Sequence, residues 1–250
     1  MEKQQTSYEE KLRTAAIVLA AGSGSRMKST TKKQYMLIQD KPVLYYSLAT
    51  FQKSFIDEIV LVTSAEELSY CKEEIVQKYG FTKVKQIVAG GKERYHSVYA
   101  GIQALPNSDV VFIHDGARPM LSKEMLERLL KDVKETGACV AGVKAKDTIK
   151  IADENGNIAS TPNRNFVWTI QTPQVFSYEL ICRAYKELMA NEENLLSQGI
   201  HVTDDAMVVE HFGRHPVHLV EGSYENIKIT TPEDMMIARQ FLAQTQGQQP

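Results

Sequence analysis

Three clusters of small and charged residues in this chain could do chemistry on anions. The first is Leu19-Ala20-Ala21-Gly22-Ser23-Gly24-Ser25-Arg26-Met27, with Lys33 a few residues further on. Small side chains let a backbone approach a ligand closely. Successive N–H groups in such a turn form a concavity for anions. Arg26 adds a forked cationic donor and Lys33 a point charge. Two common phosphate loops are excluded. No Gly-Lys-Ser/Thr stands at the Walker A spacing, and Met27 occupies the place of the third glycine in a dinucleotide loop. The plain alternative is a tight turn beside a solvated charged face. Arg26 and Lys33 on one loop favour phosphate.

The second cluster is Gly90-Gly91-Lys92-Glu93-Arg94-Tyr95-His96-Ser97-Val98, at the start of a predicted helix. Free backbone donors there suit a base edge or a phosphate. The third is His114-Asp115-Gly116-Ala117-Arg118-Pro119. Asp115 offers hard oxygens to a divalent cation such as Mg²⁺, and Arg118 can hold a phosphate. The competing reading is a buried Asp115–Arg118 ion pair that fixes a turn. His114 reads as a packed strand-end residue, not a catalyst.

The elements around these clusters alternate. Ala15–Ala21, Glu58–Thr63, Val84–Val88, Asp109–His114 and Ala138–Val143 are short apolar runs, as buried parallel strands require. Helices fall between them. Pro42–Gln52 has Val43, Tyr46 and Ala49 or Thr50 at helical spacing, and Ser64 with Glu67 forms a capping box for a helix that Gly80 can end. Tyr95, Val98, Ile102 and Leu105 share one face; Met125, Leu126, Leu129 and Val133 face inward from Ser122–Thr136. Parallel neighbours need crossover helices, so the fold predicted is α/β, a doubly wound and mostly parallel sheet. The third cluster then lies at a strand's carboxyl end, where open α/β sheets bind ligands.

The rhythm breaks after Val143. Thr148–Thr161 alternates weakly around Asn155-Gly156, which predicts a hairpin with a type I′ turn. We read Lys144–Gln171 as a protruding β-hairpin arm. Helices resume at Tyr178 and Asp204, and Val217–Val220 and Asn226–Ile229 are predicted late strands. Thr231, Pro232 and Asp234 open the last helix with a cap, a first-turn proline and an acid. A single domain over 14–243 is expected, with flexible termini at 1–13 and 244–250.

Composition narrows the function classes. Lys plus Arg number 29 and Asp plus Glu 31, a net charge of −2, which argues against a large nucleic-acid face. No apolar run is long enough to cross a bilayer, and Met1–Arg13 lacks the apolar core of a secretory signal. Cys71, Cys139 and Cys182 form neither a zinc spacing nor a disulfide framework. A cytoplasmic protein with reduced thiols is expected.

The run from Ala20 to Met27, followed by Lys33-Gln34, resembles the signature of sugar-phosphate nucleotidyltransferases, in which the loop wraps a nucleotide triphosphate. Further motifs narrow the likeness. Alongside the second and third clusters stand Lys146-Asp147-Thr148-Ile149-Lys150, Asn163-Arg164, Trp168, Gln171-Thr172-Pro173-Gln174, Thr203-Asp204-Asp205-Ala206, and Glu221-Gly222 with Asn226-Ile227-Lys228-Ile229-Thr230. Jointly these resemble the 2-C-methyl-D-erythritol 4-phosphate cytidylyltransferase family over about Thr14–Leu242. Two positions depart from it. Lys32 stands where many members have proline, and Lys92 where some carry an acid.

The resemblance implies a Rossmann-like nucleotidyltransferase that joins CTP to a polyol phosphate, with Mg²⁺. Arg26, Lys33 and Lys228 would be catalytic. Ala20, Ala21, Gly22, Gly24, Gly91, Ser97, Asp115 and Ala117 would bind CTP, and Asp115 would also meet the metal. Arg118, Thr148, Arg164, Thr172 and Lys228 would hold the methylerythritol phosphate. A homodimer through the 144–171 arm follows, with the arm completing the partner's site. Ribitol 5-phosphate or another polyol phosphate is the alternative acceptor. A non-catalytic CTP-binding module is disfavoured because Arg26, Lys33, Asp115 and Lys228 are all present.

Overall fold

A continuous apolar strand needs cover on both faces, and β1 (Thr14–Leu19) has it. Ala16 and Val18 pack into one core, and Ala15 and Ile17 into another on the opposite face. The computed structural model describes residues 11–22, 27 and 31–247. Arg26, Gly24 and the outer parts of both termini lie outside the described residues.

After β1 come a small ladder, β2 (Leu37–Ile38) and β3 (Lys41–Pro42), and then α1 (Val43–Lys53), β4 (Glu58–Thr63) and α2 (Leu68–Tyr70). A π-helical run, Cys71–Gln77, continues α2. Next are β5 (Val84–Ala89), α3 (Arg94–Ala104), β6 (Val110–Asp115), α4 (Lys123–Thr136) and β7 (Ala138–Lys144). The arm carries β8 (Ile151–Ala152) and β9 (Ile158–Ser160). Then follow β10 (Trp168–Ser177), α5 (Tyr178–Ser197), α6 (Asp205–Val208), β11 (His218–Glu221) and α7 (Pro232–Gly247).

Seven strands form one sheet in the order β11-β7-β10-β6-β1-β4-β5. β10 runs antiparallel to both neighbours, and the other pairings are parallel. Side chains of α1, α4 and the π-helical run cover one face, and those of α3, α5 and α6 the other. This is the doubly wound α/β fold expected. Fully buried Phe51, Leu129 and Ile181 each add about 1.5–3 kcal/mol through apolar burial.

The helix faces of α3 and α4 are as predicted. Ser122 caps α4 by accepting from the Met125 N–H at 3.2 Å, and Gly137 closes it with φ 74°. In α3, Gly101 lets the helix press onto β1: a Cβ there would lie 2.5 Å from Ile17 Cγ2. That contact sets how closely the second half of α3 sits on the sheet.

Several expectations need correction. The inward face of α1 is Leu44, Ser47, Leu48 and Phe51 beside Val43; Tyr46, Ala49 and Thr50 are only half-buried. Ser64 and Glu67 form no capping box, because the Glu67 carboxylate accepts from Ser64 Oγ and pairs with Lys32. The hairpin turn has positive φ at Gly156 alone. Asp153 accepts from the Asn155 and Asn157 N–H groups, so an Asx-type turn replaces type I′. Asn226–Ile229 forms no strand. Its backbone is spent on a turn and on one bond from Ile229 N–H to Ala117 O.

The largest departure concerns the end of the 144–171 arm. β7 runs through Lys144, and residues 168–171 already belong to β10, inside the sheet. Gln171, Thr172 and Gln174 are buried, a pattern too polar to read as core strand. Long-range partners satisfy them: Gln171 Nε2 donates to Ser223 O, and Gln174 Oε1 accepts from the Asp205 and Ala206 N–H groups.

Candidate active site

The carboxyl ends of β1, β5 and β6 converge on a cavity of about 380 Å³. Ala21, Gly22 and Lys33 come from the first cluster, Gly91 to Arg94 and Ser97 from the second, and Asp115 and Ala117 from the third; Lys228 closes one side. The α3 N-terminus is preorganised. The Glu93 side chain accepts from the His96 N–H, and the Glu93 N–H donates to His96 Nδ1 at 3.1 Å. Ser97 Oγ accepts from the Gly91 N–H at 3.2 Å. Loop and helix also meet at Gly90, where a Cβ would lie 2.8 Å from Ala21 Cβ and 2.5 Å from Ser97 Oγ.

A second cavity of about 340 Å³ adjoins the first, lined by Arg118, Ile170 to Thr172, Gln174, Thr203 and Asp204. Arg94, Asp115 and Lys228 line both. Lys228 Nζ lies 2.7 Å from Asp115 Oδ2, and Arg94 Nε 3.4 Å from Oδ1. Arg94 is anchored behind by a bidentate pair to buried Asp205, both contacts at 2.8 Å. Tyr185 OH donates to the same carboxylate. Arg94 therefore props Asp115 from the buried side, whereas Lys228 pairs with it from a part-exposed position.

Burial alone would raise the Asp115 carboxyl. The charges of Arg94, Lys228 and Arg118 outweigh it and hold the group well below the usual carboxylate range. The Asp115–Arg118 pair exists at 3.9 Å, but as one of three cationic contacts. His114 is wholly buried, as its packed-residue reading expected. Thr172 Oγ1 accepts from the Asp115 N–H at 3.0 Å and lies 3.1 Å from His114 Nδ1; His114 Nε2 lies 3.2 Å from Arg118 O. Thr172 thus donates to Nδ1 and Nε2–H donates to Arg118 O, a neutral imidazole. Burial pulls its pKa down to about 4. The relay sets the turn that carries Arg118.

Ala21, Gly22, Lys33, Gly91, Ser97, Asp115 and Ala117 all line the first cavity. Ala20 does not. It is buried, and its carbonyl accepts from Gln34 Nε2 at 2.6 Å. Arg118, Thr172 and Lys228 line the second cavity. Thr148 and Arg164 line neither; both are exposed on the arm, where Arg164 donates to Lys146 O at 3.0 Å. Arg94 and Asp205 were given no role from sequence. A cation directly before the Tyr-His-Ser helix start and an acid pair in Thr203-Asp204-Asp205-Ala206 were the available signals.

Among the described residues no group of three or more His, Cys, Asp or Glu side chains could hold a metal ion. The donor set does not fit a protein-caged ion. Asp115 is the carboxylate that lines both cavities, and carboxylate oxygen is the donor type Mg²⁺ accepts beside phosphate oxygens.

Fold and site together define an α/β nucleotidyltransferase. The family model described as IspD, 2-C-methyl-D-erythritol 4-phosphate cytidylyltransferase, matches residues 14–244. The chain belongs to that family. It is similar to the enzyme of that name from Lachnoclostridium phytofermentans, with 51% identity over 94% of this chain and 98% of the relative. The one from Lachnospira eligens is 50% identical over 91% and 98%. Among solved structures, the 4-diphosphocytidyl-2C-methyl-D-erythritol synthase of Anaerococcus prevotii superposes with a TM-score of 0.78 at 36% identity, covering 93% and 96% of the two chains. The Francisella tularensis family member gives 0.73 at 29% identity, covering 91% and 99%. The ribitol 5-phosphate alternative finds no support in these relatives. No helix among the described residues is long and apolar enough to cross a membrane.

Proposed function

We propose that this chain transfers the cytidylyl group of CTP to 2-C-methyl-D-erythritol 4-phosphate in non-mevalonate isoprenoid precursor synthesis. The products are 4-diphosphocytidyl-2-C-methyl-D-erythritol and pyrophosphate. The observation that carries this is the wall of Arg94, Asp115 and Lys228 shared by two adjoining cavities. CTP enters the cavity under the first loop, and the polyol phosphate enters the one beside Arg118 and Thr172. A phosphate oxygen of the polyol attacks the α-phosphorus, the new P–O bond forms, and the bond to pyrophosphate breaks. The nucleophile is already anionic, so no general base is needed. Positioning and charge neutralisation carry the catalysis.

Lys33 faces the departing phosphates, with Arg26 on the same loop. Lys228 exchanges Asp115 for the α-phosphate and the incoming phosphate, because it lines both cavities and Asp115 keeps Arg94. Asp115 would hold a Mg²⁺ ion brought with the triphosphate, and the ion would supply neutralisation of phosphate charge. The arm serves a homodimer. Ile158 and Phe166 are 65% and 81% exposed on it, too much apolar surface for a hairpin with so little core. Thr148 and Arg164 then reach the partner's polyol phosphate. A cytoplasmic location agrees with three free cysteines.

The test is pyrophosphate release across four nucleotides and several polyol phosphates, with and without excess EDTA. CTP with methylerythritol phosphate should turn over fastest, and EDTA should abolish turnover. Equal rates with ribitol 5-phosphate would reject the acceptor assignment.

A further inference from the structure

Lys33 is the first residue of a single 3₁₀ turn, Lys33–Tyr35. So short a turn holds its direction poorly by its own bonds, which are Tyr35 N–H to Lys32 O at 2.9 Å and Met36 N–H to Lys33 O at 3.3 Å. Its aim is set from outside. Behind Lys33, buried Gln34 donates to Ala20 O at 2.6 Å and to Gly22 O at 3.2 Å, tying the turn to the end of β1. Glu67, after β4, holds the residues on both sides. Its Oε2 lies 3.1 Å from Lys32 Nζ and accepts from Tyr35 OH at 3.1 Å, Ser64 Oγ at 2.8 Å and Thr63 Oγ1 at 3.4 Å. Lys32 Nζ also donates to Ser64 Oγ at 3.0 Å. The Lys32 ammonium is therefore committed to the Glu67 side, and Lys33 is the lysine on the cavity wall.

The Lys32 backbone adds a second, independent observation. Its φ of −62° is the value a proline ring would impose by itself, and its ψ of 140° is one a proline adopts readily. A lysine has no such constraint and must be held. We propose that Glu67 and Lys32 are positioning residues for the transfer reaction, a charged clamp that aims Lys33 at the nucleotide phosphates in place of a ring constraint. This rests on the reading of Lys33 given above.

The experiment compares Lys33→Ala, Lys32→Ala, Glu67→Gln, Lys32→Pro and the double variant Lys32→Pro/Glu67→Gln, with kcat, CTP KM and thermal midpoint for each. Misaimed catalytic groups cost up to about 100-fold. Lys32→Ala and Glu67→Gln should each lose about tenfold in kcat, with CTP KM moving less than about threefold. Lys32→Pro should keep most of kcat and reduce the loss caused by Glu67→Gln. Thermal midpoints separate this from simple destabilisation, which would lower the midpoint and spare kcat of the folded enzyme. Lys32→Pro as impaired as Lys32→Ala would make Lys32 a phosphate ligand and overturn the clamp. So would unchanged kcat in Lys32→Ala and Glu67→Gln beside a crippled Lys33→Ala, with the transferase reading intact. Unchanged kcat in Lys33→Ala would remove the role assigned to Lys33, and the clamp with it.

Discussion

The imidazole of His114 sits where a proton is costly. It is wholly buried, against Phe51 on one side and inside the Thr172–Arg118 relay on the other. Its folded pKa is lowered to about 4 from 6.5. The unfolded chain therefore takes up the proton first. The stability contribution is complete above about pH 6.5 and is lost as pH falls toward 4. A separation of this size corresponds to about 3 kcal/mol. Thermal midpoints between pH 7 and 4.5 should fall for the parent and fall less for His114→Asn; parallel curves would refute the assignment. Asp115 adds nothing to this slope near neutrality. Its lowered pKa means that its own contribution is lost only as pH falls below the ordinary carboxylate range of about 4. At this scale the sequence was informative for several residues whose chemistry is local, though not for Ala20. Asp115, Lys33, Ser97 and Lys228 have residue types that fit their cavity positions. Arg94 was not legible, because its meaning depends on Asp205, a partner far along the chain.

Elements show the same division. Apolar runs and helical faces marked β1, β4, β6, β7, α3 and α4, since each is defined by neighbours a few residues away. β10 escaped because its buried polar residues are satisfied by segments around 204–206 and 223. Periodicity does not report distant partners. The close meeting of Ala21, Gly90 and Ser97 shows how tightly the elements pack at the first cavity. Gly90→Ala must push Ala21 or Ser97 aside. Both lie on the proposed CTP wall, whereas Arg118 and Thr172 are remote from the clash. We expect CTP KM to rise roughly tenfold, about 1.4 kcal/mol, with KM for the polyol phosphate near its parent value. Equal increases in both constants in steady-state kinetics would mean that the two cavities are not independently built.

For the whole molecule, the proposal that the arm acts across a twofold axis predicts complementation. Lys33→Ala and Arg164→Ala should each be inactive as homodimers. After subunit exchange, each mixed dimer has one doubly defective site and one intact site. Half of the dimers are mixed, so about a quarter of all sites recover. No recovery, with mixed dimers verified by mass, would place Arg164 in its own subunit's site.

β10 has a mechanical consequence. It starts beside the arm, with Trp168 opposite Lys144. It breaks register between Ile170 and Gln174, and it ends locked against β6 at Val175 and Phe176. Gln171 and Thr172 lie in that break. The strand is thus a beam clamped at one end, with the second cavity's wall at the break in its pairing. Torque on the arm would bend that section and reach Arg118 through Thr172 and His114. It would also reach Asp115, whose N–H donates to Thr172 Oγ1 and which lines both cavities. The proposed dimer contact through the arm would therefore be coupled by the backbone itself to the wall that the two cavities share.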